Sequence, residues 1–538
     1  MESSGVREAD PIEAGLAAMR AADWSAARGH FERAVSDDPT PEALEGLSQA
    51  AWWDGDEEVT FEMRERAYRA YRQAGNARGA ARMAMSIGAD HLDFRGDNTV
   101  AAAWLARVPA LVDEPCPELA ATLLFEADIA TVAEADHATA ERKAREALAS
   151  ARELGDPGVE AVALAVLGSA LIARGEAEEG LRLIDQSAGI ALGEEFEEPA
   201  YPGWALCHTV TACANVGDFD RAHHWCQAMQ RWVASWRARQ FFGICRTAYG
   251  HVLATQGQWP DAEDELQSAI DDLRATRPVL AAPSSVRLGE LRVRQGRREE
   301  GRQLFEAALP MPQAVLCIGE LDLDAGDAAG AADAAERVLR RLDDESLIDR
   351  VPALELLARA RAATADHAGA AAAAEEVERA GARFATPYMR GRAQALRAHV
   401  LTAAEDHDGA RRAAEDAVDL FGECSAPYEA AQARIVLAQS LKALGRAERA
   451  QAEGEAAREA LTRLGADAEA RRATDAELSP RELEILRLIA AGLNDAEIAE
   501  RLFLSRHTVH RHVANVRAKL RTPSRAAAVA EATRLQLL

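Results

Sequence analysis

The chain has 538 residues, with 62 Lys plus Arg against 88 Asp plus Glu and a formal net charge of −26. That length allows about three to five ordinary domains, or one long repeat array with a small addition. The acidic total argues at first sight against a nucleic-acid partner, because phosphate contacts need Lys and Arg. Hydrophobic residues make up 48% and aromatics only 5%, and alanine is abundant. Alanine is the easiest residue to place in a helix and lets helices approach closely, so an all-α chain is expected. Arginine outnumbers lysine 59 to 3, the bias of a GC-rich bacterial genome, and none of Lys143, Lys442 and Lys519 follows a glycine. A P-loop nucleotide motor is thereby excluded. Residues 1–8 are polar and acidic, without the apolar core of a signal peptide. The longest nearly apolar run, 161–173, falls short of the ~20 residues of a membrane span, so a cytoplasmic protein is expected. Seven cysteines in such a chain suit buried reduced thiols better than a disulfide framework.

In chain order, a recurring unit comes first: a helical apolar pattern, a short turn of one small residue plus Asp or Arg, and a second helical pattern. The turns begin at Ala22, Gly55, Gly96, Ala135, Gly175, Gly217, Gly257, Gly296, Gly326, Ala365, Glu405 and Gly445, and nine of the eleven intervals are 39 to 42 residues. Five residues after each comes Ala27, Thr60, Ala101, Ala140, Gly180, Ala222, Ala262, Gly301, Ala331, Ala370, Ala410 or Ala450. A small side chain there lets the second helix of a pair lie close against the first. The short interval from Gly296 to Gly326, with Pro310 and Pro312 inside it, predicts a truncated unit and a bend.

The stretches Gly217-Asp-Phe-Asp-Arg-Ala222 and Gly257-Gln-Trp-Pro-Asp-Ala262 resemble the tetratricopeptide repeat, with a period longer than that family's. The resemblance covers about 10–465 and implies a right-handed solenoid of about twelve helix pairs with a concave groove that binds a partner or ligand. Its acidic surplus reads as a solvated outer face. Trp204, Trp225, Trp232, Trp236 and Trp259 gather in units five to seven, as candidates for an apolar ligand or a peptide helix; solenoid core is the competing reading. Cys207, His208, Cys213, His223, His224 and Cys226 crowd one unit, but their spacings match no zinc signature, so no metal and no cofactor are expected.

Composition changes after a linker expected at 466–477. Residues 478–538 hold ten Lys plus Arg and six Asp plus Glu, a net of +4, which leaves −30 on the remainder. Between Arg501 and Arg525 lie seven cations and no anion. Three helix starts follow one rule, a polar cap preceded by an apolar residue that packs on the fourth helical position. Ser479 caps the first, with Pro480, Glu482 and the Leu478–Leu483 pair. Asn494 caps the second, with Glu497 and the Leu493–Ile498 pair, and Ser505 caps the third, with Leu504 against Val509. Gly492 suits a left-handed stop of the first helix. Only Phe503-Leu504-Ser505 separates the second helix from the third, which predicts helix-turn-helix geometry. On the third helix Val509, Val513, Val516 and Leu520 lie within about 40° of one another on a helical wheel, a narrow core stripe. The opposite face carries His507, Arg511, Ala514 and Ala518, with His510 at its margin. Arg517 and Arg521 flank one side, and Thr508, His512, Asn515 and Lys519 the other. Long donors around a slim centre suit a helix in the major groove, with bases ahead and phosphates on both walls.

Leu478-Ser-Pro-Arg-Glu482, Gly492-Leu-Asn-Asp-Ala-Glu-Ile-Ala499, Leu504-Ser505, Thr508-Val509, His512-Val513 and Lys519-Leu520 resemble the LuxR-type (GerE-like) DNA-binding domain. That resemblance implies a small four-helix helix-turn-helix domain over 478–538. Base contacts carry over to His510, Arg511 and Ala514, and phosphate contacts to Thr508, His512 and Lys519; a fourth helix from about Ser524 would supply a dimer face. His510 stands where the family usually has lysine. Arg521 stands where glycine is common and adds a phosphate candidate, as do Arg506, at the start of the helix, and Arg517. The expected whole is a non-enzymatic transcription regulator binding double-stranded DNA as a homodimer, with RNA polymerase and an unknown effector as further partners. A helical-repeat interaction scaffold with secondary DNA binding is the alternative.

Overall fold

The computed structural model describes residues 10–193, 196, 200–236, 239–472, 480–502, 504–520, 522–534 and 537–538. Among them there is no strand, and twelve consecutive helix pairs fill the chain to residue 464. The first four are α1 (Pro11–Arg20) with α2 (Trp24–Asp37), α3 (Pro41–Asp54) with α4 (Glu57–Gln73), α5 (Ala77–Arg95) with α6 (Asn98–Leu105), and α7 (Pro117–Asp128) with α8 (His137–Leu154). Next come α9 (Pro157–Ala173) with α10 (Ala177–Gly193), α11 (Ala200–Asn215) with α12 (Phe219–Trp236), α13 (Arg239–Thr255) with α14 (Trp259–Thr276), and α15 (Ala282–Arg294) with α16 (Arg298–Ala307). The last four are α17 (Pro312–Asp324) with α18 (Ala328–Leu339), α19 (Leu347–Ala363) with α20 (His367–Phe384), α21 (Pro387–Ala403) with α22 (His407–Glu423), and α23 (Pro427–Ala443) with α24 (Ala447–Leu464). The truncated unit is real in that α16 has 10 residues.

The repeat has a local cause. All twelve turn positions read from the sequence adopt positive φ, including the non-glycines Ala22, Ala135, Ala365 and Glu405. In eight of the turns the next residue is an aspartate, Asp23, Asp56, Asp97, Asp136, Asp218, Asp327, Asp366 or Asp406, whose carboxylate accepts an amide of the second helix's first turn. A left-handed stop and an N-cap in consecutive residues reverse the chain in minimal length. The small residues five positions on are buried in every unit, and a Cβ on Gly180 would lie 2.6 Å from the Gly168 carbonyl. Glu405 is exposed and has φ +61°, so Glu405→Gly should raise stability by about 0.5–1 kcal/mol by removing the left-handed penalty. A shift of the denaturation midpoint checks it.

The superhelix winds tightly enough for successive turns to touch. The Ser346 hydroxyl donates to the Ala135 carbonyl at 2.8 Å and the Thr386 hydroxyl to the Val216 carbonyl at 2.6 Å. His137 and Asp349 meet at 2.6 Å, and Arg277 donates to the Trp52 carbonyl at 3.1 Å with its guanidinium 3.7 Å from the centre of the Phe94 ring. One apolar core joins α9–α13 to α19–α23. Beneath the Arg277 contact, Asp90 is fully buried with Arg64 at 3.1 Å. Burial pushes the Asp90 carboxyl up to about 7, with Arg64 pulling the other way. The folded value therefore lies above the ordinary carboxylate value of about 3.9. Its contribution to stability is full below about pH 4 and lost as pH rises through about 7. The melting temperature should fall between about pH 4 and 7, and Asp90→Asn should flatten that fall.

The segment expected to be a linker begins instead with a helix, α25 (Asp467–Arg472), that belongs to the solenoid. Ala466 and Ala470 are buried with Trp259 and Leu461, and Glu469 accepts from the Tyr428 hydroxyl at 2.9 Å. A polar, Ala-rich segment had no periodicity long enough to show this. The last four helices, α26 (Pro480–Ala490), α27 (Asp495–Arg501), α28 (Arg506–Lys519) and α29 (Arg525–Arg534), pack around two small cores of their own.

Candidate nucleic-acid interface

Local rules place α28. Gly492 ends the turn after α26 with φ +88°. Asn494 accepts the Ala496 and Glu497 amides at 2.9 and 3.2 Å while Glu497 accepts the Asn494 amide at 2.7 Å, completing the expected capping box. The Ser505 hydroxyl accepts the Thr508 amide at 3.0 Å and so caps α28. Leu478, Ser479 and Phe503 lie outside the described residues, so the first cap rests on the sequence alone. Ser524 caps α29 by accepting the Ala527 amide at 3.1 Å.

All four residues of the predicted stripe, Val509, Val513, Val516 and Leu520, are buried, the first two with Ile485 and Ile498, the last two with Leu486 and Ala532. The rest of α28 is turned outward. Arg506, His510, Arg511, Ala514, Asn515 and Arg517 are exposed, and Thr508 and His512 half-buried. Arg521 and the side chains of His507, Ala518 and Lys519 lie outside the described residues. The residues assigned to bases, His510, Arg511 and Ala514, therefore share one open face between flanks of donors. Arg517 is already engaged, since its Nη2 donates to the Pro523 carbonyl at 2.5 Å. An open helix face of this chemistry can enter the major groove with Arg511 presented to guanine.

Four of the five tryptophan candidates, Trp204, Trp225, Trp232 and Trp236, pack in or against one apolar core, and Trp259 packs in another. Trp259 is almost fully buried and donates to the Ala254 carbonyl at 3.0 Å, and Trp232 is buried in an apolar core with Leu164 and Leu206. Trp204 stacks on Phe125 at 4.8 Å, Trp225 donates to Asp185 at 3.3 Å, and Trp236 is half-buried against the same core. A cavity of about 1250 Å³ has none of them in its wall. It lies between α15, α17, α19, α21 and α23, where ion pairs link helix to helix: Glu320 with Arg359, Glu355 with Arg392 at 2.6 Å, and Glu429 with Arg294 at 2.9 Å. Burial works against the Arg392 and Arg294 guanidiniums, yet Glu355 and Glu429 raise their pKa overall. Seven Lys or Arg and eight Asp or Glu line the cavity, so it carries no field of one sign. The sequence reading missed it because paired charges on the inner helices look like a solvated face. Among the described residues no group of three His, Cys, Asp or Glu could hold a metal ion, and no helix is long and apolar enough to cross a membrane.

Residues 476–532 match the family described as bacterial regulatory proteins, luxR family. A protein named as an HTH-type transcriptional regulator in Mycobacterium tuberculosis is 47% identical over 57 residues, which are 11% of this chain and 6% of that one. The oxygen regulatory protein NreC of Staphylococcus carnosus is 48% identical over 61 residues, 11% of this chain and 28% of its own length. The chain thus matches only a small part of these relatives. Among solved structures, the APC/C hetero-tetramer Cut9-Hcn1 superposes with a TM-score of 0.45 at 11% identity, over 86% of this chain and 95% of that one. Yeast Tom70 does so with 0.33 at 13%, over 82% and 95%. Residues 476–532 are a LuxR-type (GerE) helix-turn-helix domain, carried by this chain behind a solenoid of tetratricopeptide-like helix pairs.

Proposed function

We propose that the chain is a sequence-specific DNA-binding transcription regulator whose solenoid senses a protein partner or ligand and controls the reader at 478–538. The observation that carries this reading is the open, cation-flanked face of α28 on a capped helix-turn-helix core. A single small reader makes few phosphate contacts, so two readers on a pseudo-palindrome, a homodimer on DNA, are the expected bound form. RNA polymerase is the expected further partner, and the role is binding rather than catalysis, with no cofactor. The cavity between α15 and α23 is where an effector would sit.

Charge adds a control. A solenoid of −30 repels DNA from a reader of +4 unless it is held away or masked. Full-length protein should bind DNA more weakly than residues 473–538 at low salt, with the gap closing as salt rises. Equal affinities across salt would rule out this masking.

A further inference from the structure

Two arginines of the reader are spent on the protein itself. Arg481, in the first turn of α26, donates from Nη2 to the Leu502 carbonyl at 2.7 Å and from Nη1 to Glu484 at 2.6 Å. Arg525, the first residue of α29, donates from Nη2 to the Leu493 carbonyl at 2.8 Å and from Nη1 to Asp495 at 3.0 Å. Leu493 and Asp495 flank the N-cap of α27, and Leu502 is its C-cap. The two guanidiniums therefore hold the same short helix, one at each end.

That helix needs holding. α27 has 7 residues and buries only Ile498 and Ala499, whereas an isolated helix below ~12–15 residues is marginal in water. Its last carbonyls have no helical partner, and an arginine fork satisfies a carbonyl and a carboxylate together in a way a lysine cannot. The pose of α27 in turn sets that of α28, because Ile498 packs on Val509 and only four residues join the two helices.

We infer that Arg481 and Arg525 are positioning residues that clamp α27 and thereby fix the angle at which α28 meets DNA, rather than residues that bind phosphate. This inference rests on the DNA-binding reading of 476–532. The clamp separates two properties that phosphate contacts join: discrimination between sequences depends on the pose of α28, whereas the dependence on salt counts the charges brought to the backbone.

The test uses full-length protein, a duplex enriched by that protein from a random-sequence pool, and a scrambled duplex of the same composition. Arg525→Lys and Arg481→Lys keep the charge and lose the fork. Asp495→Asn keeps Arg525 and removes its partner. Each should lower the ratio of specific to scrambled affinity by about tenfold with the salt slope unchanged, and the Arg525→Lys/Asp495→Asn double variant should be no worse than either single one. The reader's thermal transition, followed in each variant, ensures that folded protein is compared; a variant that melts below the assay temperature is replaced by Asp495→Ser or Arg481→Gln, with the same ratio expected to fall. A phosphate role predicts the opposite: lysine variants that bind like the parent, and an Asp495→Asn variant that binds both duplexes more tightly because a negative charge has gone. Either result overturns the clamp. No enrichment by the parent protein would overturn the DNA-binding reading, and the clamp with it.

Discussion

Arg511→Ala should weaken binding to the preferred DNA site by about 1–3 kcal/mol and relax selectivity at one base pair, while leaving affinity for unrelated DNA nearly unchanged. The side chain is exposed on the face of α28 opposite the Val509, Val513, Val516 and Leu520 stripe. A guanidinium at that place can donate twice to the major-groove edge of guanine, and its loss leaves that edge dehydrated and unmatched. A backbone contact behaves differently. Lys519→Ala is expected to weaken all sequences alike and to reduce the magnitude of the salt slope by about 0.9. Titrations of both variants on matched and mismatched duplexes at several salt concentrations separate the two roles. Thermal melting should be unaffected by Arg511→Ala, since the side chain makes no buried contact.

Gly217→Ala should destabilise the solenoid by about 2–5 kcal/mol, and Gly445→Ala by only about 1–2 kcal/mol. Both glycines end the first helix of a pair with left-handed φ, +74° and +75°, so both substitutions incur the same backbone penalty. They differ in what a methyl group would meet. At Gly217 it would lie 2.3 Å from the Tyr388 Cβ, on the next turn of the superhelix, whereas at Gly445 nothing lies within 4 Å. The excess cost at Gly217 therefore measures the contact between superhelical turns, where Phe219 and Tyr388 also meet at 4.9 Å. Urea unfolding of the two variants gives the difference directly, and equal midpoints would mean that the turns do not bear on each other in solution.

What the sequence made legible follows from how local each cause is. The twelve turns were readable because a left-handed residue and, in most of them, an aspartate cap act within two positions, and Glu405 and Ala365 kept the register even without glycine. The α28 face was readable for the same reason: caps at Asn494 and Ser505 and a stripe of period 3.6 leave one outward side. Contacts between superhelical turns were not readable, because Ser346 with Ala135, or Arg294 with Glu429, join residues 211 and 135 apart with no pattern to announce them. The cavity and the α25 extension are consequences of that long-range closure. The same limit explains the double reading of Arg517. Sequence registers its charge, while the carbonyl of Pro523 that engages it depends on where the next helix lies. Four of the five tryptophans stay together in space, but as side chains packed in or against one apolar core, the competing reading of the sequence cluster.

The most direct test of the whole account is a DNase footprint of the full-length protein, at low salt, on duplexes it enriches from a random-sequence pool. The account predicts a protected site of two half-sites related by a dyad, lost in Arg511→Ala on the preferred duplex. Absence of any protected site, or protection that ignores sequence and survives Arg511→Ala unchanged, would contradict the claim that α28 reads DNA.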